Sequence, residues 1–145
     1  LPNIKFLVVG LAGDALERLQ RIAPSNVELM GPVTQDSLIS LYQEAKVYCQ
    51  LSIREGLPSA LCEAMLCECI PVGTERNGIP KAIGDTGFYV PLGDPDATAK
   101  AIAKALQQPE ELGRRARERI MKLFPMERRE KGLAKAIDEV TGGNI

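Results

Sequence analysis

The sequence predicts an α/β fold, a doubly wound parallel sheet of about five strands with helices on both faces, and three features of its 145 residues carry that prediction. Short apolar runs alternate with helix-length amphipathic stretches along the chain. The first strand-like run is continuous rather than alternating, as a strand buried on both faces is. The length is that of one domain, which buries roughly 70% of the surface it exposes when unfolded, so a sizeable core is expected.

The first predicted strand is "IKFLVV" (4–9). "GDALERLQRIA" (13–23) follows as a helix: Leu16, Leu19 and Ile22 form its apolar stripe, Asp14 and Glu17 lie near its positive end, and Pro24 stops it. "VELMG" (27–31) is the second strand. Thr34 then caps "QDSLISLYQEAK" (35–46), whose Leu38, Leu41, Tyr42 and Ala45 fall at i, i+3, i+4 and i+7. "VYCQLS" (47–52) is the third strand, and a helix from about Pro58 to Glu68 returns to "IPVG" (70–73), the fourth. "TERNGIPKAIGDTG" (74–87) is expected to hold one helical turn at most before "GFYVP" (87–91), the fifth. Asp94 opens an Ala-rich helix, two more helices run through 109–124 and 126–140, and the terminal Thr-Gly-Gly-Asn-Ile reads as a frayed tail. Residues 1–108 are therefore expected to form the site-bearing domain, with the helices of 109–145 packed on it.

Composition narrows the function classes. Hydrophobic residues make up 45% and charged residues 26%, and no window approaches the ~20 apolar residues of a membrane span. Leu1-Pro2-Asn3 has no basic region of a signal peptide, so the expected compartment is the cytoplasm. A net charge of −1 argues against nucleic-acid binding by the chain as a whole. The stretch from Arg114 to Lys135 is nevertheless strongly basic; it reads as a solvated helical face, or as a peripheral contact with an anionic membrane. Cys49, Cys62, Cys67 and Cys69 include a C-x-C but none of the C-x-x-C pairs that zinc sites prefer, so no metal or other cofactor is expected and the thiols read as free. The absence of histidine removes any Ser-His or Cys-His nucleophile.

The chemistry gathers after the third strand, because ligands of an open parallel sheet bind outside the carboxyl ends of its strands. The loop from Ser52 to Ser59 holds Glu55, a Gly56 that lets the backbone approach a ligand closely, and a Pro58 placed where a helix starts. The free amides of that helix's first turn suit an anion. Glu63 lies about one and a half turns further in, flanked by Leu61, Cys62, Ala64 and Met65, and helical side chains tilt back toward the N-terminus, so it is expected to face the mouth that Glu55 borders. A carboxylate in apolar surroundings needs donors. Either a backbone amide or a lysine of the protein supplies them, or the hydroxyls of a ligand do; a hydroxylated, anionic ligand such as a sugar nucleotide fits the second reading.

These residues resemble a known family. "SIREGLPSALCEAM" (52–65) is similar to the Glu-x7-Glu signature of retaining GT-B glycosyltransferases of the family 4, group 1 type. The resemblance extends through "FLVVGLAGDALERLQRIA", "NVELMGPVTQDSLISLYQEAKVY" and "IPVGTERNGIPKAIGDTGFYVPLGD", covering roughly residues 4 to 108 in register. It implies a Rossmann-like donor-binding domain for a nucleotide-sugar, the C-terminal one of two. Glu55 then borders the transferred sugar as the catalytic residue, Ser52, Gly56, Leu57, Pro58 and Ser59 contact sugar or phosphate, and Glu63 accepts the ribose hydroxyls. The resemblance also implies that the usual first strand of the domain, with the Arg and Lys that neutralise the diphosphate, and the acceptor-binding N-terminal domain are absent from this chain. A sheet ordered 3-2-1-4-5-6 without strand 1 lacks a central member, so self-association through exposed strand edges is expected. The sequence departs from the family in Leu51 for the proline before Ser52, Asn77-Gly78 for Gly-Gly and Lys81 for an acidic residue. A dinucleotide-dependent dehydrogenase is the rival enzyme, but Gly10-Leu11-Ala12-Gly13 is G-x-x-G rather than G-x-G-x-x-G. The non-enzyme alternative is a nucleotide-sugar-binding or structural interaction fragment.

Overall fold

The alternation in the sequence folds into five parallel strands and seven helices in the computed structural model, which describes residues 1–141. They are β1 (Phe6–Val8), α1 (Gly13–Gln20), β2 (Val27–Leu29), α2 (Gln35–Glu44), β3 (Val47–Gln50), α3 (Ser59–Leu66), β4 (Ile70–Thr74), α4 (Ile79–Ile83), β5 (Phe88–Val90), α5 (Pro95–Leu106), α6 (Glu110–Leu123) and α7 (Met126–Thr141). The terminal tail predicted from Thr141 onward lies, beyond that residue, outside the described residues.

The strands divide into two sheets. β3, β4 and β5 form one, with Val47 opposite Ile70 and Val72 opposite Phe88, and β1 pairs with β2 alone, Phe6 opposite Val27. Every residue of β4 is buried, because it has a strand on each side and helices on each face. On one face Leu61 and Met65 of α3, Ile79 and Ile83 of α4, and Ala116 and Ile120 of α6 close a core. On the other, Ile70, Val72 and Val90 meet Ala101, Ile102 and Ala105 of α5. Side chains of successive strand residues point to opposite faces, and Tyr48 accordingly joins the first core while Val47 and Cys49 join the second.

Local chemistry sets the helix starts. The Asp94 carboxylate accepts from the Ala97 amide at 2.8 Å, and the Thr34 hydroxyl accepts from the Ser37 amide at 3.3 Å. The turn predicted within 74–87 is the five-residue α4, held because Ile79, Ala82 and Ile83 are all buried. α6 docks on the end of α3 through Gly113, where a Cβ would stand 2.1 Å from the Glu68 carbonyl oxygen.

Two expectations change. The first strand was expected to be buried on both faces, yet β1 spans three residues and leaves Leu7 37% and Val8 36% exposed. Its one strand neighbour is β2, and α1 contributes no buried side chain to cover it. The basic residues of α6 are largely exposed, as a solvated face is, but three of them also hold other parts of the chain. Arg115 pairs with Asp85 at 2.7 Å, Arg119 donates to the carbonyls of Ala82 and Lys81 at 2.7 and 3.0 Å, and Arg117 donates to the Leu66 carbonyl at 3.1 Å. The guanidiniums of Arg117 and Arg119 cap the ends of α3 and α4, and with Arg115 they tie α6 down. No described helix is long and apolar enough to cross a membrane.

Candidate functional site

The carboxyl end of β3 organises the site through one face of the strand. Tyr48, Gln50 and Ser52 follow each other at the strand period of two. The Tyr48 hydroxyl donates to Gln50 Oε1 at 3.1 Å, which turns the Gln50 amide so that Nε2 donates to Ser52 Oγ at 2.7 Å and to Glu55 Oε1 at 3.1 Å. Glu55 is thereby held by the strand rather than left to the loop.

The loop after β4 locks onto the loop after β3. Thr74 Oγ1, almost wholly buried, donates to the Ser52 carbonyl at 2.8 Å. Gly78 lies directly against Gly56: a Cβ on Gly78 would stand 1.9 Å from the Gly56 carbonyl oxygen, so a side chain there would push the two loops apart. Between them lies a polar cavity of about 690 Å³ lined by Ile53, Arg54, Glu55, Gly56, Arg76, Asn77 and Leu92. A second, apolar cavity of about 880 Å³ adjoins it, sharing Ile53 and Leu92 and reaching Phe6 and Val27 of the two-stranded sheet.

The predicted residues divide between the cavity and its surroundings. Glu55 and Gly56 line it; Ser52 is held by Gln50 beneath Glu55; exposed Leu57, buried Pro58 and exposed Ser59 carry the chain from the loop into α3. Pro58 adopts φ −70 at the N-cap of α3, the value its ring imposes, so the helix starts there without distortion. Glu63 does not line the cavity. It lies half-buried on the α3 side, toward Tyr42 and Tyr48, and raises the pKa of both phenols after the larger effect of their burial, which together with Glu63 pushes Tyr42 up to about 12. Glu55 acts on Tyr48 in the same sense, so the two carboxylates share that ring as a neighbour. Among the described residues, no backbone amide or lysine hydrogen-bonds or ion-pairs with the Glu63 carboxylate.

Tyr48, Gln50 and Arg76 are not singled out by the sequence, Arg54 is marked by it only as a neighbour of Glu55 in the loop, and Asn77 only as a departure from the family. The period-two spacing of Tyr48, Gln50 and Ser52 was a readable signal for the first two. Arg76 and Asn77 reach the site only through the contact of Gly78 with Gly56, which no local pattern announces.

Comparison with known proteins places this geometry in a family. The family model described as glycosyl transferases group 1 matches residues 1–108. The chain is 30% identical over 133 residues to the N-acetyl-alpha-D-glucosaminyl L-malate synthase of Bacillus anthracis, covering 87% of the chain and 35% of that protein. It is 29% identical over 124 residues to a phosphatidylinositol N-acetylglucosaminyltransferase polypeptide of Arabidopsis thaliana, covering 79% of the chain and 28% of that protein. The fold superimposes on sucrose-phosphate synthase from Thermosynechococcus elongatus with a TM-score of 0.82 at 25% identity, over 95% of the chain and 39% of that structure. The chain thus spans about a third of the length of these curated relatives. It has an α/β fold of parallel strands like that of GT-B glycosyltransferases, and it belongs to the glycosyl transferases group 1.

Proposed function

We propose that the chain is the donor-binding half of a glycosyltransferase that moves a sugar from a nucleotide-sugar to an acceptor with retention. The observation that carries this reading is the position of Glu55, fixed by Gln50 in a polar cavity at the carboxyl ends of β3 and β4 within the stretch that matches the family. Glu55 borders the transferred sugar. The amides around Gly56 and the first turn of α3 meet the phosphates, with Ser52, Leu57, Pro58 and Ser59 shaping that approach. Glu63, half-buried and without a hydrogen-bond donor among the described residues, accepts the ribose hydroxyls. In transfer, the bond from the sugar's anomeric carbon to the phosphate oxygen breaks and its electron pair leaves on the nucleoside diphosphate. The acceptor oxygen bonds to the same face of that carbon, and its proton passes to the departing phosphate oxygen. No metal or histidine is called on for this step. We place the acceptor site on a further domain and the protein in the cytoplasm, with self-association of this chain through its strand edges.

Calorimetric titration of the 145-residue chain with UDP-, GDP- and ADP-sugars tests the donor site. Binding of one of them is expected, and Glu63→Ala is expected to weaken it at least about tenfold through loss of charge-assisted hydrogen bonds. Absence of binding to every nucleotide would leave the chain a structural interaction fragment. Unchanged binding in Glu63→Ala would remove the ribose assignment.

A further inference from the structure

Arg54 and Arg76 come from different loops to line the same cavity as Glu55. All the arginines of α6 have protein partners: Arg114 pairs with Glu111, Arg115 with Asp85, Arg117 with Glu68 and Arg119 with backbone carbonyls. By contrast, neither Arg54 nor Arg76 makes an ion pair or side-chain hydrogen bond among the described residues. The cavity's one carboxylate, Glu55, is engaged by Gln50 and lies in no ion pair with either guanidinium. The lining therefore carries a net charge of +1 and two uncommitted planar donor groups, each able to bind an oxyanion through two parallel hydrogen bonds.

The backbone fixes where these groups stand. Asn77 is left-handed at φ 49, a conformation uncommon outside glycine, and it turns the chain immediately after Arg76. The Arg76 amide donates to the Thr74 carbonyl at 2.8 Å, the Arg76 carbonyl accepts from the Ile79 amide at 3.1 Å, and Gly78 rests on Gly56. Arg76 is thus carried on a turn braced at both ends, while Arg54 precedes the residue that Gln50 holds. Both side chains are exposed, so they reach a ligand without first breaking a contact within the protein.

We propose that Arg54 and Arg76 form a two-guanidinium clamp for a diphosphate, and, resting on the function proposed above, that this diphosphate is the one linking nucleoside and sugar in the donor. The clamp sets Glu55 beside the bond between sugar and phosphate and places positive charge where the departing diphosphate gathers negative charge.

Titrations of the chain with inorganic pyrophosphate, and with UDP, GDP and ADP beside the corresponding nucleosides, test the clamp in the wild type, Arg54→Ala, Arg76→Ala, Arg76→Lys and Glu63→Ala. Pyrophosphate and one nucleoside diphosphate should bind, more weakly as ionic strength rises. Arg54→Ala and Arg76→Ala should each weaken both ligands at least about tenfold, and Arg76→Lys should recover only part of the loss because an ammonium lacks the planar fork. Lys100→Ala, outside both cavities, should change nothing, and unchanged circular dichroism would show that the variants fold. Nucleotide binding that depends on Glu63 but not on either arginine would overturn the clamp and keep the donor site. Pyrophosphate binding that depends on both arginines, without preference for any nucleoside diphosphate, would keep the clamp and overturn the donor reading. No binding of pyrophosphate or any nucleotide would overturn both.

Discussion

β1–α1–β2 and β3–α3–β4 are the same parallel unit written in similarly apolar sequence, yet their burial differs sharply. In the second, Leu61, Met65 and Val72 are wholly buried; in the first, α1 buries no side chain and Ile22, expected on its apolar stripe, is 76% exposed. Every buried apolar side chain among the described residues lies at Tyr42 or beyond. The difference follows from neighbours. β4 has β3 and β5 beside it and helices above and below, whereas β1 has β2 alone and an apolar cavity of about 880 Å³ between it and the larger sheet. An apolar run supplies the material for a core, and the elements that close over it decide whether one forms. The polar cavity sits at the end of the well-packed unit, where Gln50 of β3 holds Glu55 and buried Thr74 of β4 holds Ser52.

The largest predicted effect separates the two units directly. Leu61→Ala empties a site with no solvent exposure at the junction of α3, α4 and α6, and should cost about 3 kcal/mol of unfolding free energy. Leu16→Ala, half-buried on α1, should cost less than about 1 kcal/mol, because its surroundings hold no closed core to leave empty. Urea denaturation of the two variants checks this. Equal losses would mean that both units share one cooperative core. Hydrogen exchange should show the same division, with the β1 and β2 amides exchanging through local opening and those of β4 protected close to the global limit.

Two glycine substitutions should sharpen the comparison with opposite signs. Gly113→Ala places a methyl group 2.1 Å from the Glu68 carbonyl oxygen and should destabilise by about 2 kcal/mol as α6 is forced off α3. Gly132→Ala, in α7, meets nothing within 4 Å among the described residues, so it should stabilise by about 0.5 kcal/mol by restricting the unfolded chain and favouring the helix. Thermal melts read both signs. A neutral Gly113→Ala would show that α6 does not brace the site-bearing unit.

The strand and helix order was legible because each element carries its own signal: short β-branched and apolar runs at 47–49 and 70–72, a capping Thr34 and Asp94, and Pro24 ending the first helix. Glu55 was legible for the same reason, since a loop after a parallel strand is a place for chemistry. The hydrogen bonds from Tyr48 through Gln50 to Glu55 lay half in view, as a period-two face whose direction depended on how β3 packs. Arg76 was out of view. Its position depends on Gly78 touching Gly56 across 22 residues of sequence, and such a contact is a property of the assembled sheet. The exposure of β1 is not legible in its sequence, because continuity of apolar residues says nothing about which neighbours a strand will have.

The smallest effect concerns thiols, all four of which fall in the better-packed unit or on its border. Burial pushes the Cys49 pKa up to about 11 and, most strongly, that of Cys69 up to about 12, while the more accessible Cys62 and Cys67 are raised by burial and by Glu63, with Arg117 opposing the shift at Cys67. Cys69 also donates from Sγ to the carbonyls of Tyr42 and Ala45, at 3.1 and 3.2 Å, which anchors the end of α2. A thiol whose pKa is higher folded than unfolded keeps its full contribution to stability below the ordinary value of 9.0 and loses it as pH rises through the folded value. Unfolding midpoints should therefore fall between about pH 9 and pH 12, and the loss should be seen first at β3 and the α2–α3 contact rather than at β1 and β2. Near neutral pH the same asymmetry should appear as reactivity: iodoacetamide should modify Cys67 and Cys62 well before Cys49 and Cys69, read by peptide mass spectrometry. Modification of Cys69 as fast as Cys67 would mean that the α2–α3–β4 packing opens as readily as the two-stranded sheet.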